Sequence, residues 1–185
     1  MPIIFGYGSL ICRTSAEKTL GRSLSTNDVC CANIQNHVRS WTAQGDVKLM
    51  VNNRVRPSDA LFLDLTESQN KHCNGVAIRV SQRELRQLDI RECCYERSVV
   101  ELDTGDGQLT EGFAYRVPPE DKQHYGITLA AYRQIVENAL TAYPEAFTRQ
   151  YWETTLPSEA LEVEGEYIFE DCAQNAAAGQ CFSII

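Results

Sequence analysis

The sequence predicts an α+β fold, in which a sheet with antiparallel or mixed pairing carries a small number of helices. Segments typical of strands come mostly in runs, whereas only a few segments show the spacing of an amphipathic helix. The 185 residues suit a single domain whose core needs neither disulfides nor a metal for stability.

The first half of the chain is predicted to consist mainly of strands. A short apolar run at residues 3–7, closed by Gly8, is typical of a buried strand. Further strands are predicted at residues 29–41, 47–51, 60–65 and 75–80, with a polar turn between the last two.

Three helices are predicted after residue 80. Ser81 and Glu84 have the spacing of a capping box, so a helix is expected to begin at Ser81. The clearest helix covers residues 129–143, with Thr128 as its N-cap and Pro144 at its end. A shorter helix is expected to follow, through Phe147, Tyr151 and Trp152.

Further strands are predicted between the first two of these helices and after the third. Residues 97–103 and 112–117 flank the turn-rich segment 104–107, which indicates a hairpin. Residues 161–169 alternate apolar and acidic side chains, which predicts one strand with a solvent-exposed face. The small residues at 175–185 predict a mobile end.

The charge balance excludes several classes of partner. Seventeen Lys and Arg against 25 Asp and Glu give a formal net charge of −8, and such a surface repels nucleic-acid phosphates. No basic cluster indicates an anionic membrane, and no apolar run approaches the roughly 18 residues of a membrane span. The first residues lack the features of a secretory signal, so we expect a cytoplasmic protein without nucleic-acid or membrane partners.

The eight cysteines are predicted to be reduced thiols. Four of them form two adjacent pairs, no CxxC occurs, and the three histidines do not stand at zinc-finger spacing from any cysteine. We therefore expect neither a disulfide framework nor a metal site.

Glu92 is the first candidate for chemistry. Leu85, Leu88 and Glu92 are spaced i, i+3 and i+7, so they share one apolar helix face that should point inward. Burial and the helix C-terminus both disfavour the charged carboxylate, which suits a general base. The alternative is that the helix ends earlier and Glu92 pairs with Arg91 or Arg97 at the surface.

The second candidate is the turn after the first strand, at Tyr7, Gly8, Ser9 and Leu10. Glycines let the backbone approach a ligand, and successive N–H groups in such a turn can hold an anion such as a carboxylate. The alternative is a tight connection between a strand and a helix that binds nothing.

Two further groups of residues are candidates. Tyr95, Tyr115 and Tyr132 suit the wall of a small polar pocket, although tyrosines on apolar faces are commonly core residues. Cys93 and Cys94 could act as nucleophiles, but no histidine near them in the sequence supplies a base.

Four motifs together resemble the γ-glutamylcyclotransferase superfamily: FGYGSLI, GVAIRV, LDIRECCYER and GFAYRV, in this order. The opening is most similar to the ChaC-type branch, and the resemblance spans residues 3–155. It implies a small mixed β-barrel with flanking helices and a pocket at the barrel mouth. Residues 1–155 would form this domain, and residues 156–185 an extension packed on it and mobile in part.

The resemblance also implies a reaction without cofactor or metal. The α-amine of a γ-glutamyl group attacks its own γ-carbonyl, which releases 5-oxoproline and an amine or peptide; the substrate would be glutathione, a γ-glutamyl amino acid or a γ-glutamyl amine. The family's base falls on Glu92 and its substrate-holding loop on Tyr7, Gly8, Ser9 and Leu10. Its pocket tyrosines fall on Tyr115, Tyr95 and Tyr132.

One departure from the family pattern leaves alternatives open. Cys93 and Cys94 stand where ChaC-type sequences usually have small glycines, and cysteine does not adopt a positive φ as easily. A small-metabolite-binding or interaction module of the same fold, without turnover, is the first alternative, and a thiol-dependent enzyme is the second. The sequence leaves the oligomeric state open.

Overall fold

The computed structural model describes residues 1–180, which form eight strands and five α-helices. The strands are β1 (Ile3–Gly6), β2 (Val29–Val51), β3 (Arg54–Arg79), β4 (Glu96–Asp103), β5 (Leu109–Arg116), β6 (Ile127–Leu129), β7 (Leu161–Val163) and β8 (Glu166–Phe169). The helices are α1 (Arg13–Leu20), α2 (Gln82–Arg91), α3 (Ala130–Leu140), α4 (Glu145–Glu153) and α5 (Cys172–Ala178), with short 3₁₀ turns at Ser9–Ile11 and Pro119–Asp121.

Five of the strands close into a barrel. Their order is β3-β1-β5-β4-β2, and β2 pairs again with β3 to complete the ring. All of these pairs are antiparallel except β1 with β5, so the barrel is mixed. The predicted α+β class and the small mixed barrel with flanking helices are both confirmed.

Strands outside the ring extend the sheet at its two ends. β6 runs parallel to β3 and β7 parallel to β6, whereas β8 pairs antiparallel with β2. The apolar side chains of the ring and of the helices around it form one buried cluster. None of the helices within residues 1–180 is long and apolar enough to cross a membrane.

The long hairpin of β2 and β3 corrects the prediction for the first half of the chain. The segments 29–41 and 47–51 belong to one strand, and so do 60–65 and 75–80. The polar turn predicted between the last two was wrong, because residues 67–72 continue β3 with largely exposed side chains. Asn36 and Asn70 adopt φ of 58° and 60° there. A β-bulge, and not a turn, accommodates the register shift between β2 and β3 at this point.

The predicted helices form, with two corrections. Ser81 and Glu84 make both hydrogen bonds of the capping box at the start of α2. Thr128 does not cap α3; it lies buried in β6, and its Oγ1 has no hydrogen-bond partner among the described residues. α3 ends at Leu140, well before Pro144, which directly precedes α4 instead.

The C-terminal region differs most from the prediction. Residues 161–169 form two strands rather than one, because Gly165 breaks the segment with φ 142°. A Cβ at Gly165 would lie 2.5 Å from the carbonyl oxygen of Met50, so the turn needs a glycine. The predicted mobile end stays a prediction: its first residues belong to α5, and residues 181–185 lie outside the described part of the chain.

Candidate functional site

Glu92 ends α2 and turns its side chain into a cavity. Its main-chain N–H donates to the carbonyl oxygen of Leu88 at 2.8 Å, which continues the helical bonding pattern. Leu85 and Leu88 are buried on the same face, and the Glu92 side chain is 15% exposed. Glu92 does pair with Arg91, at 3.0 Å, but the Arg91 side chain is only 7% exposed, so this ion pair lies inside the protein.

Burial controls the protonation of Glu92. Loss of solvent raises the pKa of its carboxyl above the usual value, and the nearby Arg91 guanidinium opposes this effect only in part. A carboxyl group with a raised pKa accepts and returns protons nearer to neutral pH than an ordinary glutamate does.

The turn after β1 forms another wall of this cavity, through Tyr7, Gly8, Ser9 and Leu10. The 3₁₀ turn begins with the Ile11 N–H donating to the Gly8 carbonyl at 3.0 Å. The N–H groups of Gly8, Ser9 and Leu10 precede this bond, and none of them has an acceptor among residues 1–180. They are therefore free to bind an anionic or carbonyl oxygen.

Gly8 allows the close packing of this turn. A Cβ at Gly8 would lie 2.7 Å from the Tyr132 hydroxyl oxygen. The Tyr132 ring packs edge-on against Trp41 and Phe62, with centroid distances of 6.0 and 5.0 Å. The absence of a side chain at Gly8 thus lets the tyrosine hydroxyl reach the backbone of the turn.

Five tyrosines line the cavity, and the hydroxyls of the four that the sequence predicted differ in role. Tyr7 donates to the Tyr115 carbonyl, and Tyr95 donates to the Leu63 carbonyl at 2.9 Å. Burial raises the pKa of Tyr7, Tyr95 and Tyr132 well above the usual value, so these hydroxyls stay protonated. The Tyr115 hydroxyl donates to Asp89 at 2.7 Å, which leaves mainly its ring to shape the cavity.

The structure thus brings all the predicted site residues to one cavity: Glu92, Tyr7, Gly8, Ser9, Leu10, Tyr95, Tyr115 and Tyr132. Their roles in binding and catalysis stay predictions. Arg97, the other proposed partner of Glu92, pairs with Asp89 instead, at 2.6 Å.

Sequence reasoning missed the contribution of the C-terminal region. Tyr167 and Phe169 of β8, Gln174 and Ala178 of α5, and Gln180 also line the cavity. Gln174 is buried, and its Nε2 donates to the Arg91 carbonyl oxygen at 2.9 Å, directly beside Glu92. No sequence motif indicates these contacts, because they depend on how β8 and α5 fold back on the barrel.

The paired cysteines differ in environment. Cys93 is exposed, whereas Cys94 is half-buried and lines the cavity. Burial raises the pKa of the Cys94 thiol to about 12, so the reactive thiolate is scarce at neutral pH. Every cysteine in residues 1–180 is a free thiol, and within the same residues no three His, Cys, Asp or Glu side chains are grouped as metal ligands.

Solved structures share this fold at low sequence identity. A γ-glutamyl cyclotransferase is 13% identical, with a TM-score of 0.60 over 89% of this chain and 94% of its own. YkqA from Bacillus subtilis is 19% identical, with a TM-score of 0.61 over 82% of this chain and 53% of its own. A yeast γ-glutamyl cyclotransferase described as specific to glutathione is 12% identical, with a TM-score of 0.53 over 83% of this chain and 96% of its own.

At such identities the likeness establishes the fold alone. No curated protein sequence matches this chain. Residues 4–134, however, match the model of the family described as "Gamma-glutamyl cyclotransferase, AIG2-like". This match confirms the superfamily that the sequence motifs resemble, and it places the candidate loop and Glu92 within the matched region. The chain belongs to the AIG2-like γ-glutamyl cyclotransferase family.

Proposed function

We propose that this chain is a γ-glutamylcyclotransferase. The α-amine of a γ-glutamyl compound attacks its own γ-carbonyl carbon, a five-membered ring closes, and the bond to the leaving nitrogen breaks. The products are 5-oxoproline and a free amine or peptide, and no water is consumed. Substrates of this class are glutathione, γ-glutamyl amino acids and γ-glutamyl amines.

The main support for the proposal is the buried carboxyl of Glu92 in the cavity lined by the turn after β1. A substrate amine is protonated at neutral pH and must lose a proton before it can attack. Glu92 has a raised pKa, so it can take this proton and then return it to the departing nitrogen. One carboxyl group thus serves as base and then as acid.

The free N–H groups of Gly8, Ser9 and Leu10 complete the arrangement. They are suited to hold the α-carboxylate of the substrate or the oxygen that becomes negative as the ring closes. The buried, protonated hydroxyls of Tyr7, Tyr95 and Tyr132 add polar groups to walls that are otherwise apolar.

Ring closure needs positioning more than it needs a reactive group. The nucleophile and the carbonyl belong to one molecule, and correct orientation supplies roughly 7–11 kcal/mol in the best intramolecular reactions. A cofactor or a covalent intermediate has no necessary part in such a step. The raised pKa of Cys94 also argues against a covalent intermediate on this thiol, because it disfavours the thiolate that a thiol-dependent mechanism requires.

The experiment incubates the purified protein with glutathione, a γ-glutamyl amino acid and a γ-glutamyl amine, and it measures 5-oxoproline and glutamate separately. We expect 5-oxoproline from at least one compound, and no product from the same compound with an acetylated α-amine. Glutamate in place of 5-oxoproline would indicate hydrolysis and would refute the proposed ring closure.

Two variants make this test specific. Glu92→Gln keeps the size of the side chain but cannot accept the amine proton, so it should be inactive. Glu101→Gln changes an exposed glutamate of β4 and should behave as the wild type. If Glu92→Gln forms product as fast as the wild type, the proposed base is wrong. Tight calorimetric binding of a γ-glutamyl compound without any turnover would favour a binding module instead.

A further inference from the structure

Arg91 connects Glu92 to the turn after β1 and to α1. Its Nε lies 3.0 Å from the Glu92 carboxylate. One Nη donates to the Ser15 carbonyl oxygen at 2.9 Å and to the Thr19 hydroxyl at 2.7 Å. The other donates to the hydroxyls of Ser9 and Ser15, both at 2.8 Å. The guanidinium therefore links the end of α2 to the turn after β1 and to α1, both of which are more than 70 residues away in sequence.

These contacts use every donor that Arg91 has. A guanidinium carries five N–H groups; four make the hydrogen bonds to Ser9, Ser15 and Thr19, and the fifth faces Glu92. The side chain is only 7% exposed. Arg91 thus has no free donor to offer to a substrate, and any effect on the reaction must pass through Glu92 or through Ser9.

Within residues 1–180, Arg91 also provides the positive charge next to Glu92. The other titratable groups that interact with Glu92 are neutral when protonated, and burial raises the pKa of each of them: Tyr7, Tyr95, Tyr132, Tyr167, Cys93 and Cys94. They leave the Arg91 guanidinium as the charge that opposes the desolvation of the Glu92 carboxylate.

We propose that Arg91 is a positioning residue: it keeps the buried Glu92 carboxylate ionised and fixes it relative to Ser9 of the substrate-holding turn. The inference rests on the proposed function for its kinetic consequence only. The charge of Arg91 sets how readily Glu92 accepts a proton. The planar arrangement of its N–H donors sets the position of the carboxylate relative to the turn.

Two substitutions separate these effects. Arg91→Met removes both the charge and the hydrogen bonds. An opposite charge at this distance lowers a carboxyl pKa by about one to three units, so its loss should move the acid limb of the pH–rate profile upward by a similar amount. At pH values below that limb, the rate should fall about tenfold for each unit by which the carboxyl pKa rises, and it should recover at high pH.

Arg91→Lys keeps the charge but loses the planar set of N–H donors. It should therefore show a smaller shift of the acid limb than Arg91→Met, together with a higher KM than the wild type. This variant also serves if Arg91→Met does not fold. Arg116→Met is the matched control, because Arg116 pairs with the exposed Glu67 outside the cavity. Its acid limb should coincide with that of the wild type.

A second measurement does not depend on turnover. The side-chain carboxyl carbon of Glu92, labelled with ¹³C and assigned by its loss in Glu92→Gln, reports the pKa directly in NMR titrations. We expect a higher midpoint in Arg91→Met than in the wild type. Equal midpoints in the folded proteins would overturn the electrostatic role, and a wild-type KM in Arg91→Lys would overturn the positioning role. If no γ-glutamyl compound is converted, the proposed function fails while this titration still decides the role of Arg91.

Discussion

Replacing Gly8 with alanine tests the packing between the turn after β1 and Tyr132. The new Cβ would lie 2.7 Å from the Tyr132 hydroxyl oxygen, about 0.7 Å short of the 3.4 Å at which ordinary contacts begin. The only other atom within 4 Å of it is the Leu63 Cβ, at 3.7 Å. The clash therefore involves a single oxygen atom, on a ring that packs edge-on against Trp41 and Phe62.

The cost follows from the packing of that ring. Overpacking at a well-packed site destabilises proteins by about 1–3 kcal/mol, and we expect Gly8→Ala to lower the free energy of unfolding by this amount. Tyr132→Phe removes the clashing oxygen and by itself should lower stability by about 1 kcal/mol. In the Tyr132→Phe background, Gly8→Ala should then be at least about 1 kcal/mol less destabilising than in the wild type.

Urea denaturation of the four proteins of this cycle gives the coupling energy. Any cost of the methyl group that does not involve the hydroxyl occurs in both backgrounds and cancels. A coupling energy within about 0.3–0.5 kcal/mol of zero would mean that the two changes are independent, and it would refute the claim that Gly8 makes room for the tyrosine.

Three further predictions concern Arg39, Glu92 and the paired cysteines. Arg39 is fully buried and donates to Asn74 and to the Tyr151 carbonyl. Because several acceptors lose their partner, Arg39→Met should lower the free energy of unfolding by about 3 kcal/mol or more in urea denaturation. A loss below about 1 kcal/mol would contradict this prediction. Burial raises the pKa of Glu92 above its unfolded value, so the wild type loses stability as the pH rises through the folded pKa. Glu92→Gln should therefore be more stable than the wild type at neutral pH and equal to it below about pH 4, as thermal unfolding across pH would show. The double variant Cys93→Ala, Cys94→Ala should still form 5-oxoproline in a Glu92-dependent manner, whereas inactivity in a folded protein would restore the thiol hypothesis.

The parts of the site that follow from local spacing were predictable. The capping box fixes where α2 begins, and the helical period then places Glu92 on the face of Leu85 and Leu88. The glycines after β1 indicated a turn able to approach a ligand. These inferences need only neighbouring residues, and for that reason they hold without knowledge of the fold.

The long hairpin was harder to predict, because periodicity reports burial rather than strand pairing. Within residues 67–72, Glu67 and His72 pair with β2, the residues between them bulge out of the ladder, and most of the side chains are exposed, so no apolar alternation marks the segment as a strand. A polar stretch of this kind has the composition of a turn.

Contacts between distant segments could not be predicted at all. Nothing in the sequence indicates that Gln174 reaches the Arg91 carbonyl, or that Arg91 spans Ser9, Ser15 and Thr19. The sequence did suggest Arg91 as a possible counter-charge for Glu92, because the two residues are adjacent. The hydrogen bonds that make Arg91 a link between elements appear only in the folded chain.

The position of β1 within the barrel has a consequence for how the protein folds. Ile4 pairs with Ile78 on one side and with Phe113 on the other, so β1 lies between two strands that are synthesised much later than β1 itself. Topologies dominated by such distant pairings fold slowly, in milliseconds to seconds. Until β5 emerges, Ile3, Ile4 and Phe5 remain without their final neighbours, and an apolar segment in this state is prone to aggregate or to recruit a chaperone. The pairing of β1 is thus complete only after both β3 and β5 have been synthesised.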